Sequence, residues 1–274
     1  MRNESGVALR VERVAVAFDH PVLCDVSLEV HRGETLAVMG KSGTGKSVLL
    51  KLIVGLIRPD EGSIFYKDND VANLSESGLM ALRSDIGFVF QGAALFDSMT
   101  VGQNLDIFLV KHTDMPSEER EQKILEALEM VGLAEAIDKM PSELSGGMKK
   151  RAGLARSIVI EPEMMLYDEP TTGLDPLTAA SIAEQILTLQ QRLGIASIVV
   201  THDLPTAFTV ADRAVVLNEG YVVFSGTLEE LVSSSDPFLH DYLGASRLDR
   251  VRHDQIIHRV PAIRSQEQAV PAHG

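Results

Sequence analysis

Eight consecutive residues, Gly40-Lys41-Ser42-Gly43-Thr44-Gly45-Lys46-Ser47, have the spacing G-x-x-x-x-G-K-[ST] of a phosphate-binding loop. Glycines let the backbone turn its N–H groups inward onto phosphate oxygens, and a helix starting at the loop's end adds partial positive charge. At this spacing Lys46 reaches the β- and γ-phosphates of a nucleoside triphosphate, and the Ser47 hydroxyl sits on Mg²⁺. Four more groups able to do chemistry follow along the chain. Gln91 stands just after an apolar run, and Ser145-Gly146-Gly147 stands before Lys149-Lys150-Arg151. Asp168 and Glu169 end the apolar stretch from Met164 to Tyr167, and His202 comes just after the run Ile198–Val200.

These groups need strands and helices to bring them together, and the hydrophobic pattern supplies candidates. Ala8–Ala17, Val22–Val30, Thr35–Met39, Ser63–Tyr66 and Ile86–Phe90 read as strands, with turn chemistry at Arg32-Gly33 and Pro59-Asp60-Glu61-Gly62. Val48 opens a nearly all-apolar helix running to Ile57. From about Asp97 to Arg156 helical signals dominate. One helix starts at Pro116-Ser117 with Glu118 and Glu119 in its first turn, turns Ile124, Leu125, Leu128 and Val131 to one side, and stops at Gly132. Alternation then returns. Met164–Tyr167 is a buried strand, Pro176–Leu193 an amphipathic helix and Ile195–Val200 another buried strand, followed by a helix over Leu204–Ala211. Ala214–Leu217 and Tyr221–Phe224 form a hairpin. Apolar strands alternating with helices imply a parallel sheet covered on both faces. Regularity is lost after about Asp241, where arginines are scattered among apolar residues.

The order of these motifs, together with Gly173-Leu174-Asp175 after the acidic pair, resembles the nucleotide-binding subunit of an ABC transporter. The resemblance covers about Val7 to Val232 and implies an α/β fold of that ATPase type. Such a fold has a RecA-like P-loop NTPase core, an antiparallel β subdomain and an inserted α-helical subdomain. On this chain the cassette is residues 1–240, with the core at 1–95 and 157–240 and the helical subdomain at 96–156. Residues 241–274 remain as a tail that contacts a partner or a second copy, or else as a polar end.

The resemblance also assigns roles. Phe18 stands where the family stacks an aromatic ring on adenine, more commonly a Tyr. The loop from Gly40 to Ser47, with Val48 behind it, holds the phosphates. Asp168 and Ser47 hold Mg²⁺, with Gln91 sensing both the metal and the attacking water. Glu169 acts as general base, and His202 bonds the γ-phosphate and fixes the geometry around Glu169. Asp175 is the acid that lies across the dimer interface. Ser145, Gly146 and Gly147 close on ATP held by a second copy, so nucleotide glues two protomers and its hydrolysis releases them. The family usually has Gln where this chain has Met148, which removes an amide from that position.

The stretch Gln91–Val101, the Met-type signature and Pro141-Ser142-Glu143 are similar to one subgroup, the ATPases of Mla-type phospholipid and MCE-associated lipid transporters. The implied assembly is a homodimer at the cytoplasmic face of the inner membrane. It is held there by a permease and joined by an MCE-type lipid-binding subunit and a small STAS-type subunit. An importer cassette for another solute, such as an amino acid, is the nearer alternative. A non-transport cassette protein of DNA repair or translation is the farther one. Composition weighs against the latter: the net charge is −14 at a pI near 5.0, so nucleic acid is not an expected partner. The single cysteine, Cys24, excludes an internal disulfide and any cysteine-based zinc site. No run of about 18 apolar residues is present, and Met1–Val7 lacks the apolar stretch of a signal peptide.

Overall fold

The structure is a computed structural model that describes residues 6–244 of the 274. Two long strands open it, β1 (Val7–Ala17) and β2 (Pro21–His31), paired antiparallel. In β1 the buried set shifts phase, from Leu9 and Val11 to Val14 and Val16. A register shift between Val11 and Val14, with Arg13 at φ 46°, marks a bulge that returns the apolar side chains to the same face. The chain continues through β3 (Thr35–Met39), α1 (Lys46–Ile53), β4 (Glu61–Tyr66), β5 (Asn69–Asp70), α2 (Glu76–Asp85) and β6 (Ile86–Val89). One antiparallel sheet has the order β2-β1-β4-β5.

Three helices follow, α3 (Val101–His112), α4 (Ser117–Met130) and α5 (Gly146–Ile158). After them come β7 (Met164–Asp168), α6 (Pro176–Leu193), β8 (Ala196–Thr201), α7 (Leu204–Val210), β9 (Arg213–Asn218), β10 (Tyr221–Thr227), α8 (Leu228–Val232) and α9 (Pro237–Gly244). The second sheet has the order β10-β9-β3-β8-β7-β6, parallel throughout except for the β9–β10 hairpin. β3 and β8 are buried at every residue, which explains why their sequences are apolar without alternation. Because β3, β7 and β8 run parallel side by side, their carboxyl ends share one edge of the sheet, the usual place for a ligand crevice in such sheets.

The core has three clusters. One joins the antiparallel sheet to one face of the parallel sheet and α1. A second joins α3, α4 and α5 to Val89, Met165, Tyr167 and Val199 on the opposite face and to α6. The helical segment is therefore cored against the sheet rather than only against itself. A third gathers α7, α8 and α9 against Ala37, Met39, Ala214 and Val216.

The sequence expectations for strands agree with this architecture to within two residues, except that β10 runs three residues past the expected Tyr221–Phe224 and the short β5 has no counterpart among them. One expected helix is shorter than its apolar run suggests. α1 stops at Ile53 rather than Ile57 because Gly55 takes φ 64°, and a Cβ there would stand 2.5 Å from Leu79 Cδ2. The turn needs glycine, and beyond it Leu56 is exposed while Ile57 packs against the core. The segments 1–5 and 245–274, which include most of the expected tail and most of the stretch Met1–Val7, lie outside the described residues.

Candidate nucleotide site

β3 delivers the chain directly into the glycine loop. Gly45 caps α1 at φ 92°, where a Cβ would meet Leu23 Cδ2 at 2.5 Å and the Val22 carbonyl oxygen at 2.9 Å. A Cβ on Gly40 would sit 2.5 Å from the Leu217 carbonyl oxygen. Both positions therefore need glycine for space, and Gly45 also needs it for backbone conformation. Lys46 lies inside the loop, where its ammonium donates to the carbonyls of Gly40 and Lys41 at 2.8 and 2.9 Å. Burial lowers its pKa, with the nearby charges of Glu169 and Asp168 acting in the opposite direction. Lys41, Ser42 and Gly43 are exposed on the loop's rim, and Thr44 bonds the Lys41 carbonyl, closing the turn. Val48 follows Ser47 in the first turn of α1 and packs against the core.

Ser47 Oγ donates to Asp168 Oδ1 at 2.7 Å, joining the start of α1 to the end of β7. Desolvation raises the pKa of Asp168, and the Ser47 hydrogen bond opposes the rise. A hydroxyl and a carboxylate beside a phosphate loop are the hard-oxygen set that suits Mg²⁺, which takes one or two carboxylates and completes its shell with phosphate and water. Among the described residues no group of three or more His, Cys, Asp or Glu gathers to hold a cation by itself. The donors therefore fit a metal that arrives with a nucleotide.

Glu169 has a left-handed backbone, φ 48°, unusual for a residue with a side chain. Its N–H donates to the Val200 carbonyl at 2.9 Å, tying the strained turn to β8. The side chain is buried, and its Oε2 accepts from His202 Nδ1 at 2.8 Å, from Thr172 Oγ1 at 3.1 Å and from Thr201 Oγ1 at 3.4 Å. Oε1 lies 3.8 Å from Lys46 Nζ. The carboxylate is thus oriented from the end of β8 and from the loop after β7, 3.8 Å from the phosphate-loop lysine.

Gln91 follows β6 and is exposed, but its carbonyl accepts from Lys150 Nζ at 2.6 Å. Lys150, on α5, is a residue that sequence reasoning missed. Arg156 on the same helix holds the carbonyls of Ala93 and Ala94, both with positive φ, which fixes the loop after Gln91. Ser145 caps α5, accepting from Met148 N–H at 3.3 Å, and Gly146 is exposed beside it. Gly147 is buried, and a Cβ there would meet Thr178 Cγ2 of α6 at 2.7 Å. Asp175 caps α6 through Leu177 N–H, Thr178 N–H and the Thr178 hydroxyl, and the bonds from Thr178 hold its carboxyl below the usual range.

The fold thus joins Lys46, Ser47, Asp168, Glu169 and His202 through direct contacts and reaches Gln91 through Lys150. Two expected elements stay apart from that network. Among the described residues no hydrogen bond or ion pair links Ser145, Gly146 or Gly147 to the glycine loop. Phe18 is 58% exposed and packs in no core cluster, so its ring is available at the surface rather than serving as a core residue.

A family model described as ABC transporter matches residues 23–172, more than half of the chain. The chain belongs to the ABC transporter family. It is the ATPase subunit, and it couples ATP hydrolysis to transport. The chain is 39% identical over 243 residues to the intermembrane phospholipid transport system ATP-binding protein MlaF of Escherichia coli, covering 88% of this chain and 90% of that one. It is 37% identical over 248 residues to a probable ribonucleotide transport ATP-binding protein, mkl, of Mycobacterium leprae, covering 90% and 72%. Among solved structures this ABC ATPase superposes on the cassette MJ0796 in a dimeric post-hydrolysis state bound to ADP and Pi. That match has TM-score 0.73 and 31% identity, and it covers 80% of this chain and 98% of that one. It also superposes on cbiO1 of Clostridium perfringens, part of the complex cbiONQ, with TM-score 0.78 and 30% identity over 90% and 99% of the two chains. The expected fold class is met: an ABC cassette with an α/β core and an antiparallel β subdomain. Among its described residues no helix is long and apolar enough to cross a membrane.

Proposed function

We propose that this ABC ATPase powers phospholipid transport as a homodimer under a permease pair at the cytoplasmic face of the inner membrane. An MCE-type lipid-binding subunit and a small STAS-type subunit complete the assembly. The observation that carries the catalytic part is the Glu169 carboxylate, bonded by His202, Thr172 and Thr201 and 3.8 Å from Lys46. In this reading Lys46 and the loop N–H groups bind the β- and γ-phosphates, while Ser47, Asp168 and Gln91 face Mg²⁺. Bound Mg²⁺ supplies charge neutralisation for the phosphoryl oxygens. Glu169 orients and accepts a proton from the attacking water. His202 keeps Glu169 in place and reaches the γ-phosphate, and Phe18 stacks on adenine. Ser145, Gly146 and Gly147 contact ATP held by the second protomer, with residues 96–156 moving as the helical subdomain and Asp175 near the interface.

Support for the lipid comes from MlaF of Escherichia coli, whose similarity runs over nearly all of both chains. The second reading is ribonucleotide transport, favoured by the mkl similarity, which covers less of that relative. Purifying the complex from its native membrane and identifying its bound small molecules separates the two. Phospholipid together with an MCE-type subunit supports the first, and nucleotide cargo without such a subunit replaces it. For the chemistry, Glu169→Gln keeps the carboxylate's size but removes its basicity. The expected result is ATP affinity within about twofold of wild type and turnover lower by a factor of roughly 10² or more. Wild-type turnover in that variant removes Glu169 from the role.

A further inference from the structure

α5 buries Gly147, Lys150, Leu154 and Ile158, spaced three and four residues apart along one face. Three of these are apolar or small, and the fourth is a lysine only 6% exposed. An ammonium inside such a stripe costs desolvation energy unless something in the fold answers it. Two things answer it here. Its Nζ donates to the Gln91 carbonyl at 2.6 Å, and it lies 3.5 Å from the Glu169 carbonyl. One cation therefore spans the residue opening the loop after β6 and the strained residue after β7. It does so from the helix whose first residues are the Ser-Gly-Gly segment.

From this geometry we infer that Lys150 is a positioning residue for hydrolysis: it sets Gln91 and Glu169 at their working distance and ties that distance to the seating of α5. The contact is specific in kind. Glu169 at φ 48° has left the favoured backbone regions, and such a residue keeps its conformation only when its surroundings over-determine it. β8 restrains its N–H side through a 2.9 Å bond to Val200, and the Lys150 ammonium faces its carbonyl side in a long contact of 3.5 Å. Burial lowers the pKa of Lys150, while Glu169 and Asp168 oppose that fall, so the acids of the site favour the charged form the contact needs. Lys150 touches neither the glycine loop nor Ser47 by any bond among the described residues, so its removal is expected to spare nucleotide binding. Since α5 begins with the segment proposed to grip the second protomer's ATP, closure of one site reaches the other protomer's chemistry through this side chain.

The inference rests on the proposed roles of Gln91 and Glu169, and the test keeps the two apart. The full chain, purified with its co-purifying membrane subunits, is compared as wild type, Lys150→Met, Lys150→Arg and Glu169→Gln. Lys150→Met keeps the stem and removes the donor. The expected result is kcat lowered roughly tenfold or more, with KM for ATP and the affinity for a non-hydrolysable analogue within about twofold, and Lys150→Arg restoring most of the rate. A kcat for Lys150→Met equal to wild type overturns the inference. So does a loss that appears in KM and analogue affinity, or one that Lys150→Arg shares in full, since either marks a packing or binding role. Should Lys150→Met not fold, Lys150→Gln is judged by the same criteria. If Glu169→Gln retains turnover, the reading of the site fails first. If Glu169→Gln is inactive and Lys150→Met is normal, only this inference fails.

Discussion

At the scale of single residues, the site holds several side chains in places they would not choose alone. Lys46 is buried among carbonyls, Glu169 sits at a left-handed backbone angle, and Asp168 is desolvated beside Ser47. Each is held by its own partners, Asp168 by Ser47 and Glu169 by Val200, His202, Thr172 and Thr201, while the loop around Lys46 takes its shape in part from Gly45. Gly45 has φ 92° and no room for a methyl, since Leu23 Cδ2 and the Val22 carbonyl oxygen already occupy the space. Gly45→Ala therefore has to move β2 or twist the loop, and its backbone conformation alone costs about 1–2 kcal/mol. The loop N–H groups then miss the phosphates by a fraction of an ångström. The expected outcome, read by isothermal titration with ATP, is affinity weakened at least about tenfold while the far-ultraviolet circular dichroism is unchanged. Equal affinity would show that the phosphates are held by something other than this loop's geometry.

At the scale of elements, the loop between β6 and α3 is held from within by one buried amide. Asn104, fully buried on α3, accepts from Phe96 N–H at 2.7 Å. Its two N–H donors are shared among the carbonyls of Phe96, Met99 and Thr100. Thr100 also caps α3 with a capping box through Gln103. The Phe96 and Thr100 carbonyls also accept backbone N–H groups, so Asn104→Ala strips the Phe96 N–H and the Met99 carbonyl of the amide's bonds, which costs about 2 kcal/mol, or roughly 5 °C in melting temperature for a chain this size. The same loop carries Gln91 and exposed Phe90 and Phe96, and we propose it as the surface that meets the permease. Transport measured in the reconstituted complex should therefore fall more than the ATPase of the chain alone, and equal loss of both would mean the loop serves only stability. Asn104 shows why part of the site could not be read from sequence. The glycine loop, the acidic pair and His202 announce themselves because they stand at strand ends bounded by apolar runs. Asn104 and Lys150 are polar residues on helices whose buried faces are known only once the packing partner is known. Lys150 did lie at the spacing of an apolar stripe through Gly147, Leu154 and Ile158, but its two charged neighbours masked the pattern. α2 went unread for a related reason, since only Leu79 and Leu82 in it are buried. The bulge at Arg13 and the early end of α1 were hidden because local chain conformation, not composition, decides them.

At the scale of the whole molecule, one arrangement follows from how α5 and the glycine loop are disposed. The start of α5 presents Ser145 and exposed Gly146 with helix N–H groups behind them, a place suited to an anion. Nothing among the described residues bonds this segment to the same chain's loop, and in the proposed homodimer a complete site takes the loop of one copy and the Ser-Gly-Gly of the other. Mixing two defective chains decides whether sites are shared. One chain carries Lys46→Ala, which disables its loop. The other carries Gly146→Asp, which sets a carboxylate against the phosphate. A Cβ at Gly146 meets only Leu174 Cδ2 at 3.4 Å, so the fold accepts the change. Co-expressed with different tags in the native complex, these chains form mixed pairs in half the assemblies. If sites are shared, each mixed pair keeps one intact loop facing one intact Ser-Gly-Gly, and roughly one-quarter of wild-type ATPase returns from two inactive parents. If each site lies within one protomer, mixing restores nothing. The reciprocal mixture sharpens the contrast. A chain bearing both substitutions, paired with wild type, leaves no working site in the mixed pair under sharing, but leaves the wild-type protomer active when sites are separate. The two mixtures thus respond oppositely, and neither response depends on knowing the transported molecule.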